Sequence, residues 1–287
     1  MDSKYSGLAM DIELAEVRPR YERELKPRRI PVADRRRDMP VYCFLILLAV
    51  LTIASLWLLH LDWGKIVERL PRLGRVFFDM ARFSTERFSL TLLTLTETVA
   101  VALLALIYGM VLGLVLGALA AENLTPWKPL SALLKSLFAF IRAVPTPVWV
   151  LLVLASMGFG MASGIMGLGF HVSAFFGKVF AQLFEEVPED TIEAIRATGA
   201  SRAQVFFTAV LPSSLSGIIA WTALRFETNY VEAAILGMVG AGGIGYTIMA
   251  AMNSYKLGRA GLAVFMAFAV ALGIELLSSF IKRRVKR

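Results

Sequence analysis

The amino-acid sequence predicts an all-α membrane protein, a polytopic helix bundle with about six transmembrane helices. Three observations lead to this prediction: 57% of the 287 residues are hydrophobic, the mean hydropathy is strongly positive, and the chain contains long uncharged apolar runs. A helix needs about 20 apolar residues to cross the hydrocarbon core of a bilayer. The composition is therefore typical of a chain whose helices face lipid, not of a soluble globular domain.

The charged residues exclude several classes of function. The formal net charge is +8, from 30 Lys and Arg against 22 Asp and Glu. The basic residues concentrate at the chain ends and beside apolar runs, as topology signals do, so we expect no nucleic-acid partner. The single cysteine, Cys43, lies in an apolar run and excludes an intrachain disulfide and a thiolate metal site. The first 40 residues lack the apolar region of a cleavable signal peptide, so we expect insertion through the chain's own spans.

Six segments are apolar enough to cross a membrane. The second carries Gly109, Gly113 and Gly117 at four-residue spacing, which places three glycines on one helix face and predicts a close helix contact. The six predicted segments are Val41–Leu59, Thr98–Ala121, Ser131–Met157, Ile165–Phe184, Ser213–Leu236 and Gly261–Ile281.

These segments divide the chain into five regions. The connection before the second span reads KIVERLPRLGRVFFDMARF and predicts an amphipathic helix that lies on the membrane surface. The regions are a basic cytoplasmic N-terminal segment (1–40), a first transmembrane helix (41–60), an amphipathic external connection (61–91), a five-helix core (92–281) and a basic cytoplasmic tail (282–287).

The distribution of Lys and Arg predicts the orientation. Ten basic residues precede position 41, five lie in the tail, and the loops after the second and fourth spans carry Lys128, Arg196 and Arg202. Cytoplasmic loops are enriched in such residues, so we expect both termini in the cytoplasm. The basic 61–91 connection opposes this rule, because one span separates it from the cytoplasmic N-terminal segment and so places it outside.

A polar helix-turn-helix, here called the 188–203 segment, lies between the fourth and fifth spans. Pro188 suits a first helical turn, Gly199 suits a left-handed helix stop, and Ser201 with Gln204 forms a capping-box pattern. Ile192 and Ile195, with the small Ala194 and Ala197, predict a docking face for a partner. An amphipathic loop lying on the membrane is the alternative.

The 188–203 segment resembles the EAA loop of permease subunits of binding-protein-dependent ABC importers, which have the type I importer fold. Glu193-Ala194, Gly199 and Leu211-Pro212 match that pattern, and Ile195 and Ala209 depart from it. The resemblance implies a coupling helix seated on a cytoplasmic ATPase. The implied coupling residues are Glu193, Ala194, Ile195, Ala197, Gly199, Ala200 and Ser201.

Three shorter stretches resemble the phosphonate branch of these permeases, which includes phosphite and hypophosphite systems. They are IRAVPTPVW, RFETN and LGMVGAGGIGY. The resemblance implies that the chain is a transport subunit of the bacterial inner membrane, which moves a phosphorus oxyanion inward and is not an enzyme. It also implies an ATPase dimer that holds ATP and Mg, a second permease copy or close paralogue, an extracytoplasmic solute-binding protein, surrounding lipid, and no cofactor on this chain.

Ionisable and glycine residues at membrane depth are candidates for the translocation path. A charge there is costly and normally faces protein or a water-filled path. An ion pair or snorkelling remains an alternative for the charges, and plain packing for the glycines. The glycine run from Gly240 to Gly245 does not follow a predicted strand, so it does not indicate a dinucleotide site. The candidates are Arg142, Pro145, Arg225, Glu227, Asn229, Gly240, Gly242 and Gly243.

Three other functions stay open at this point. A type I importer for methionine or another small solute differs only in its ligand, whereas an ion-coupled secondary transporter or channel would act without an ATPase. A membrane-embedded enzyme has the least support, because the sequence offers no nucleophile with a base and no carboxylate constellation. His60 and His171 are isolated in sequence and indicate no metal site.

Overall fold

A computed structural model describes residues 35–285, and every regular element in that range is a helix, which confirms the all-α prediction. Most of the predicted N-terminal segment and the last two residues of the tail lie outside the described residues. The helices are α1 (Arg35–Leu58), α2 (Trp63–Ala81), α3 (Phe88–Ala120), α4 (Lys128–Ala143), α5 (Thr146–Met157), α6 (Met161–Glu185), α7 (Glu189–Arg196), α8 (Arg202–Val205), α9 (Leu211–Leu236), α10 (Gly243–Asn253) and α11 (Leu257–Val285).

The chain divides into two compact units at Arg69 and Leu70, and each is described by itself. In the first unit, α1 contains the apolar stretch Met39–Leu58, which is long enough to cross a bilayer. All of its described side chains are exposed within the chain, as expected of a helix that faces lipid. The helix ends before His60, which adopts a φ of 44°.

Helix α2 is amphipathic, as the sequence predicted. Its basic side chains, among them Lys65, Arg69 and Arg72, share one face, and its apolar side chains share the other. None of its residues is buried. Its location on a membrane surface remains a prediction.

In the second unit, α3 packs on α6 along most of its length. Gly109, Gly113 and Gly117 are buried, and a methyl group at Gly113 would lie 2.3 Å from Phe176 Cβ. A methyl group at Gly109 would meet Val172, and one at Gly117 would meet Phe180. Because residue numbers rise together along both helices, α3 and α6 are parallel. The predicted close helix contact is confirmed.

The third predicted span is two helices, because α4 and α5 meet at 88°. Pro145 and Pro147 lie at the break, where proline removes backbone donors and disfavours a continuous helix. At 16 and 12 residues, the two helices are about 24 and 18 Å long, so neither crosses the bilayer alone.

The α4–α5 pair nevertheless returns the chain along the full length of α6. Lys135 contacts Glu185, Phe138 packs against Gly177, Thr146 contacts His171 and Val150 packs against Gly167. These contacts move steadily from the end of α6 to its start, as they must if the pair connects two parallel helices. The bent pair is therefore one broken crossing, and with α1, α3, α6, α9 and α11 it gives six candidate crossings.

The last third of the chain covers the remaining faces of α3 and α6. Helix α11 runs antiparallel to α9: Tyr230 Oη donates to the Ala267 carbonyl (3.1 Å) and Ser278 Oγ donates to the Ala223 carbonyl (2.8 Å). The chain between them forms a π-helical turn (Gly237–Ala241) and the short helix α10.

The α3–α6 contact predicts that Gly113→Ala destabilises the protein. The added methyl group would overlap Phe176 Cβ and the Gly177 backbone, and overpacking of this kind costs about 1–3 kcal/mol. Gly273→Ala in α11 is the matched control, because open space surrounds that position. Thermal unfolding in detergent should show a lower midpoint for Gly113→Ala alone; equal midpoints would refute the contact.

Candidate functional site

The 188–203 segment is a helix-turn-helix between α6 and α9. Helix α7 ends before Gly199, which has a φ of +83° and provides the left-handed stop predicted from the sequence. Ser201 Oγ accepts from the Gln204 backbone N–H (3.4 Å), and the Ser201 N–H donates to Gln204 Oε1 (2.7 Å). The predicted capping box is confirmed.

One side of the 188–203 segment packs on its own chain. Ile192 is fully buried and joins the main core, and the ring of Phe206 packs 5.3 Å from that of Phe184 just beyond the segment. Ile195 and Ala200 are half-buried against the same core. The sequence-based expectation that Ile192 and Ile195 present a docking face is thus wrong for Ile192, because its apolar surface is already covered within the subunit.

The other side of the segment is free within the chain. Its small and polar residues leave a surface with few protruding side chains, which a partner could approach closely. Five of the predicted coupling residues are exposed here: Glu193, Ala194, Ala197, Gly199 and Ser201.

A group of polar contacts, here called the Lys135 cluster, joins the 188–203 segment to the ends of α3 and α6. Lys135 Nζ lies 2.6 Å from Glu122 Oε1 and 2.8 Å from Glu185 Oε1. The Glu122 N–H also donates to Glu185 Oε1 (2.8 Å), and Arg196 donates to the Asn123 carbonyl (3.0 Å). The Lys135 ammonium lowers the pKa of the Glu122 carboxyl through a hydrogen bond and its charge.

A second group, here called the Arg225 cluster, lies between α4, α6 and α9. Arg225 Nη2 is 3.2 Å from Glu232 Oε2 and 3.4 Å from His171 Nδ1, and the guanidinium groups of Arg225 and Arg142 lie 5.0 and 5.5 Å from the centre of the Phe175 ring. A guanidinium can only donate, so His171 Nδ1 is the acceptor in its contact with Arg225, and Thr146 Oγ1 lies 3.2 Å from the same Nδ1 atom. The cluster is Arg142, His171, Phe175, Arg225 and Glu232.

Two buried side chains on α9 have polar atoms without a partner in the described structure. Arg225 is 7% exposed and its Nε is unpaired; Asn229 is fully buried and both its Nδ2 and Oδ1 are unpaired. Glu227 is half-buried on another side of α9 and forms none of the described ion pairs. Unpaired buried polar atoms are costly, and each calls for an explanation such as a bound ion, water or ligand.

The predicted path glycines lie at the end of the bundle away from the 188–203 segment. Gly240, Gly242 and Gly243 all have positive φ (113°, 84° and 72°), which only glycine adopts readily. The Gly240 carbonyl accepts from the Gly160 N–H (3.1 Å), and a side chain at Gly243 would overlap Thr98 Oγ1. These glycines hold the kink before α10 against α3 and α6, and they do not contact the Arg225 cluster.

The structure thus brings only some of the predicted path residues together. Arg142 and Arg225 share the Phe175 ring, and Asn229 lies one turn from Arg225, whereas Pro145 is exposed at the start of α5. Sequence reasoning missed His171 and Phe175, because their partners are distant in the sequence. Their spacing of four residues on a predicted helix was the available signal.

Known proteins resemble this chain over much of its length. The sequence model of the family "Binding-protein-dependent transport system inner membrane component" matches residues 113–287. The phosphate-import permease protein PhnE of Mycolicibacterium smegmatis is 31% identical over 66% of this chain, which spans only 36% of that protein. The phosphite transport system permease protein PtxC of Stutzerimonas stutzeri is 27% identical over 84% of this chain and 88% of its own length.

Solved structures show the same fold. A structure of the MetNI methionine ABC transporter in an inward-facing conformation matches with a TM-score of 0.64 and 22% identity, covering 71% of this chain and all of that one. An amino acid ABC transporter matches with a TM-score of 0.59 and 21% identity, covering 70% of this chain and 96% of that one.

The Lys135 cluster predicts that Lys135→Met loosens the 188–203 segment. Without the ammonium group, the Glu122 and Glu185 carboxylates repel each other at the ends of α3 and α6. Limited trypsin digestion should therefore cut after Arg196 several-fold faster than in the unmodified protein. Lys128→Met removes the same charge from a nearby exposed site and should leave the rate unchanged; similar rates in both variants would argue against the cluster.

Proposed function

The chain belongs to the family of binding-protein-dependent transport system inner membrane components, and we propose that it imports phosphonate, phosphite or a related phosphorus oxyanion. It is a multi-pass inner-membrane transport component with the fold of type I ABC importer permeases. The names of its relatives PhnE and PtxC support the substrate class. The observation that carries the proposal within this chain is the buried Arg225 guanidinium in a helix interface, where an anion can replace a carboxylate partner.

The exposed face of the 188–203 segment is the proposed ATPase contact. Glu193, Ala194, Ala197, Gly199 and Ser201 face outward, and small residues permit close approach of a partner surface. ATP and Mg bind to the partner ATPase dimer, and this chain binds no cofactor. ATP drives transport only if it binds one conformation of the complex more tightly than the other, and the segment transmits that difference.

The buried side of the same segment supplies the proposed route into the membrane region. Displacement of α7 acts on α3 and α6 through Ile192 and the Lys135 cluster. The bundle then alternates between inward-open and outward-open states, and the Arg225 cluster is exposed to each side in turn. The proposed path residues are the cluster with Asn229, and the glycine kink before α10 forms the gate at the far end.

The orientation follows from the position of the segment. Its ATPase contact requires this end of the bundle to be cytoplasmic, and α11 ends there with Lys282, Arg283 and Arg284. With six crossings, the proposal puts both termini in the cytoplasm. The remaining proposed partners are a second copy or a paralogue of the permease and an extracytoplasmic solute-binding protein. The secondary-transporter and channel alternatives are not favoured by the family match, and likeness to the methionine transporter shows the fold alone.

Gly199→Glu should uncouple ATP hydrolysis from uptake. A side chain at φ +83° is strained by about 1–2 kcal/mol, and the carboxylate adds charge to the proposed ATPase contact. We expect ATP hydrolysis to persist in proteoliposomes of the assembled transporter while phosphite uptake is lost. Gly199→Asn is the control, since asparagine tolerates this conformation without adding charge; unchanged uptake per ATP in Gly199→Glu would count against the proposed contact.

Arg225→Gln should lower uptake of phosphonate and phosphite about tenfold or more, because it removes a charge-assisted hydrogen bond from the path. The single variant also leaves Glu232 without its cation. The double variant Arg225→Gln/Glu232→Gln removes this imbalance and should assemble normally yet still transport poorly. Full uptake by the double variant would show that Arg225 serves only as a structural ion pair.

A further inference from the structure

We propose that Arg225 and Asn229 form a binding site for a singly protonated tetrahedral oxyanion, and that this site rejects oxyanions that have no proton to donate. The proposal rests on the proposed import of phosphorus oxyanions and specifies the form in which they bind. Phosphonate and phosphite monoanions belong to this class, because each presents charged P–O⁻ oxygens beside a neutral P–OH group. Sulfate has the same shape without the proton.

The first support is the set of unpaired atoms. Arg225 Nε and both polar atoms of Asn229 are buried without a partner in the described structure. In the described conformation both side chains are buried, so these atoms are shielded from bulk water. A ligand that binds all three would remove this cost.

The second support is their placement on one face of α9. Asn229 follows Arg225 by one helical turn, and Glu232 follows Asn229 by three residues, so the three side chains are neighbours. The Arg225 guanidinium reaches Glu232, seven residues further along, and so its side chain passes the Asn229 turn. One small ligand beside this face can therefore contact both unpaired side chains.

The types of unpaired atom determine the ligand. Arg225 Nε–H and the Asn229 Nδ2 amide group are donors, which suit the charged oxygens of an anion. Asn229 Oδ1 is an acceptor, and it requires a ligand that donates a hydrogen bond. A P–O⁻ group next to a P–OH group satisfies both requirements, whereas a fully deprotonated oxyanion would place one of its oxygens against Oδ1.

The charge of the Arg225 cluster favours the same ligand. Two cations, Arg142 and Arg225, flank Phe175, and one carboxylate, Glu232, pairs with Arg225, so the cluster has one excess positive charge. A monoanion neutralises that excess and a dianion exceeds it. His171 Nδ1 accepts from Arg225, and the ring adds no charge in that arrangement. Other ionisable side chains on the packed helices form none of the described ion pairs with the cluster: Glu97, Lys178, Glu227 and Glu275.

The test measures binding to the purified, assembled transporter without its solute-binding protein, so that the selectivity of that protein does not contribute. The probe is radiolabelled methylphosphonate at about pH 5.5, where it is a monoanion, and at about pH 9, where it is mostly a dianion. We expect binding to be about tenfold tighter at the lower pH, because the P–OH group then donates to Asn229 Oδ1, whereas a deprotonated oxygen would repel it. Sulfate should not compete at either pH, because it has no proton to donate to Asn229 Oδ1.

Two variants identify the residues responsible. Asn229→Leu keeps the side-chain size and should abolish the preference for the lower pH. Glu232→Gln adds one positive charge to the cluster and should strengthen binding at the higher pH and admit sulfate as a competitor. Co-purification with the ATPase verifies that each variant assembles. If Asn229→Leu does not assemble, Glu232→Gln still tests the charge argument.

The proposal is overturned if methylphosphonate does not bind, if sulfate competes equally, or if both variants retain the unmodified pH dependence. These outcomes are separate from failure of the proposed function. A complete transporter that imports phosphonate without this preference contradicts only the protonated-anion site. A complete transporter that imports no phosphorus oxyanion contradicts the proposed function itself.

Discussion

The close parallel packing of α3 on α6 is the contact on which the rest of the bundle depends. Three glycines on α3 let the two helices approach until a single methyl group would overlap Phe176. Parallel helices require the intervening chain to return across the membrane, which explains why the broken α4–α5 pair follows α6 from end to start. The same contact brings Glu122 and Glu185 together at the helix ends, where Lys135 joins them.

This arrangement connects the two sites through α6. One end of α6 supports the 188–203 segment, and the middle of α6 contributes His171 and Phe175 to the Arg225 cluster. The 188–203 segment reaches α9 only through a π-helical turn, Phe206–Val210, a feature often found at functional sites. Motion of the segment with α3 and α6 would shift α6 relative to α9 and alter the contacts of Arg225, and this would link the proposed ATPase movement to the proposed anion binding.

The sequence predicted the features that depend on local pattern. Each of these features depends on residues that are close together in the sequence, and the structure contains all of them: the apolar segments, the glycine contact, the amphipathic α2, the Gly199 stop and the capping box. The Lys135 cluster joins residues 13 to 73 positions apart in the sequence, and no local pattern indicates such contacts. The burial of Ile192 and the break at Pro145 also depend on packing against other helices. Periodicity alone therefore predicted an exposed docking role for Ile192 and a single helix where α4 and α5 are separate.

Cross-linking from the exposed face of the 188–203 segment tests the central claim, that ATPase movement enters the bundle there. Ala197→Cys in a Cys43→Ser background provides one reactive thiol on that face, and Ser254→Cys provides one on the far end of the bundle. With a reducible cross-linker in the assembled transporter, we expect Ala197→Cys to capture the ATPase subunit and uptake to stop until the link is reduced. Capture of the ATPase by Ser254→Cys, or by neither variant, would contradict the account.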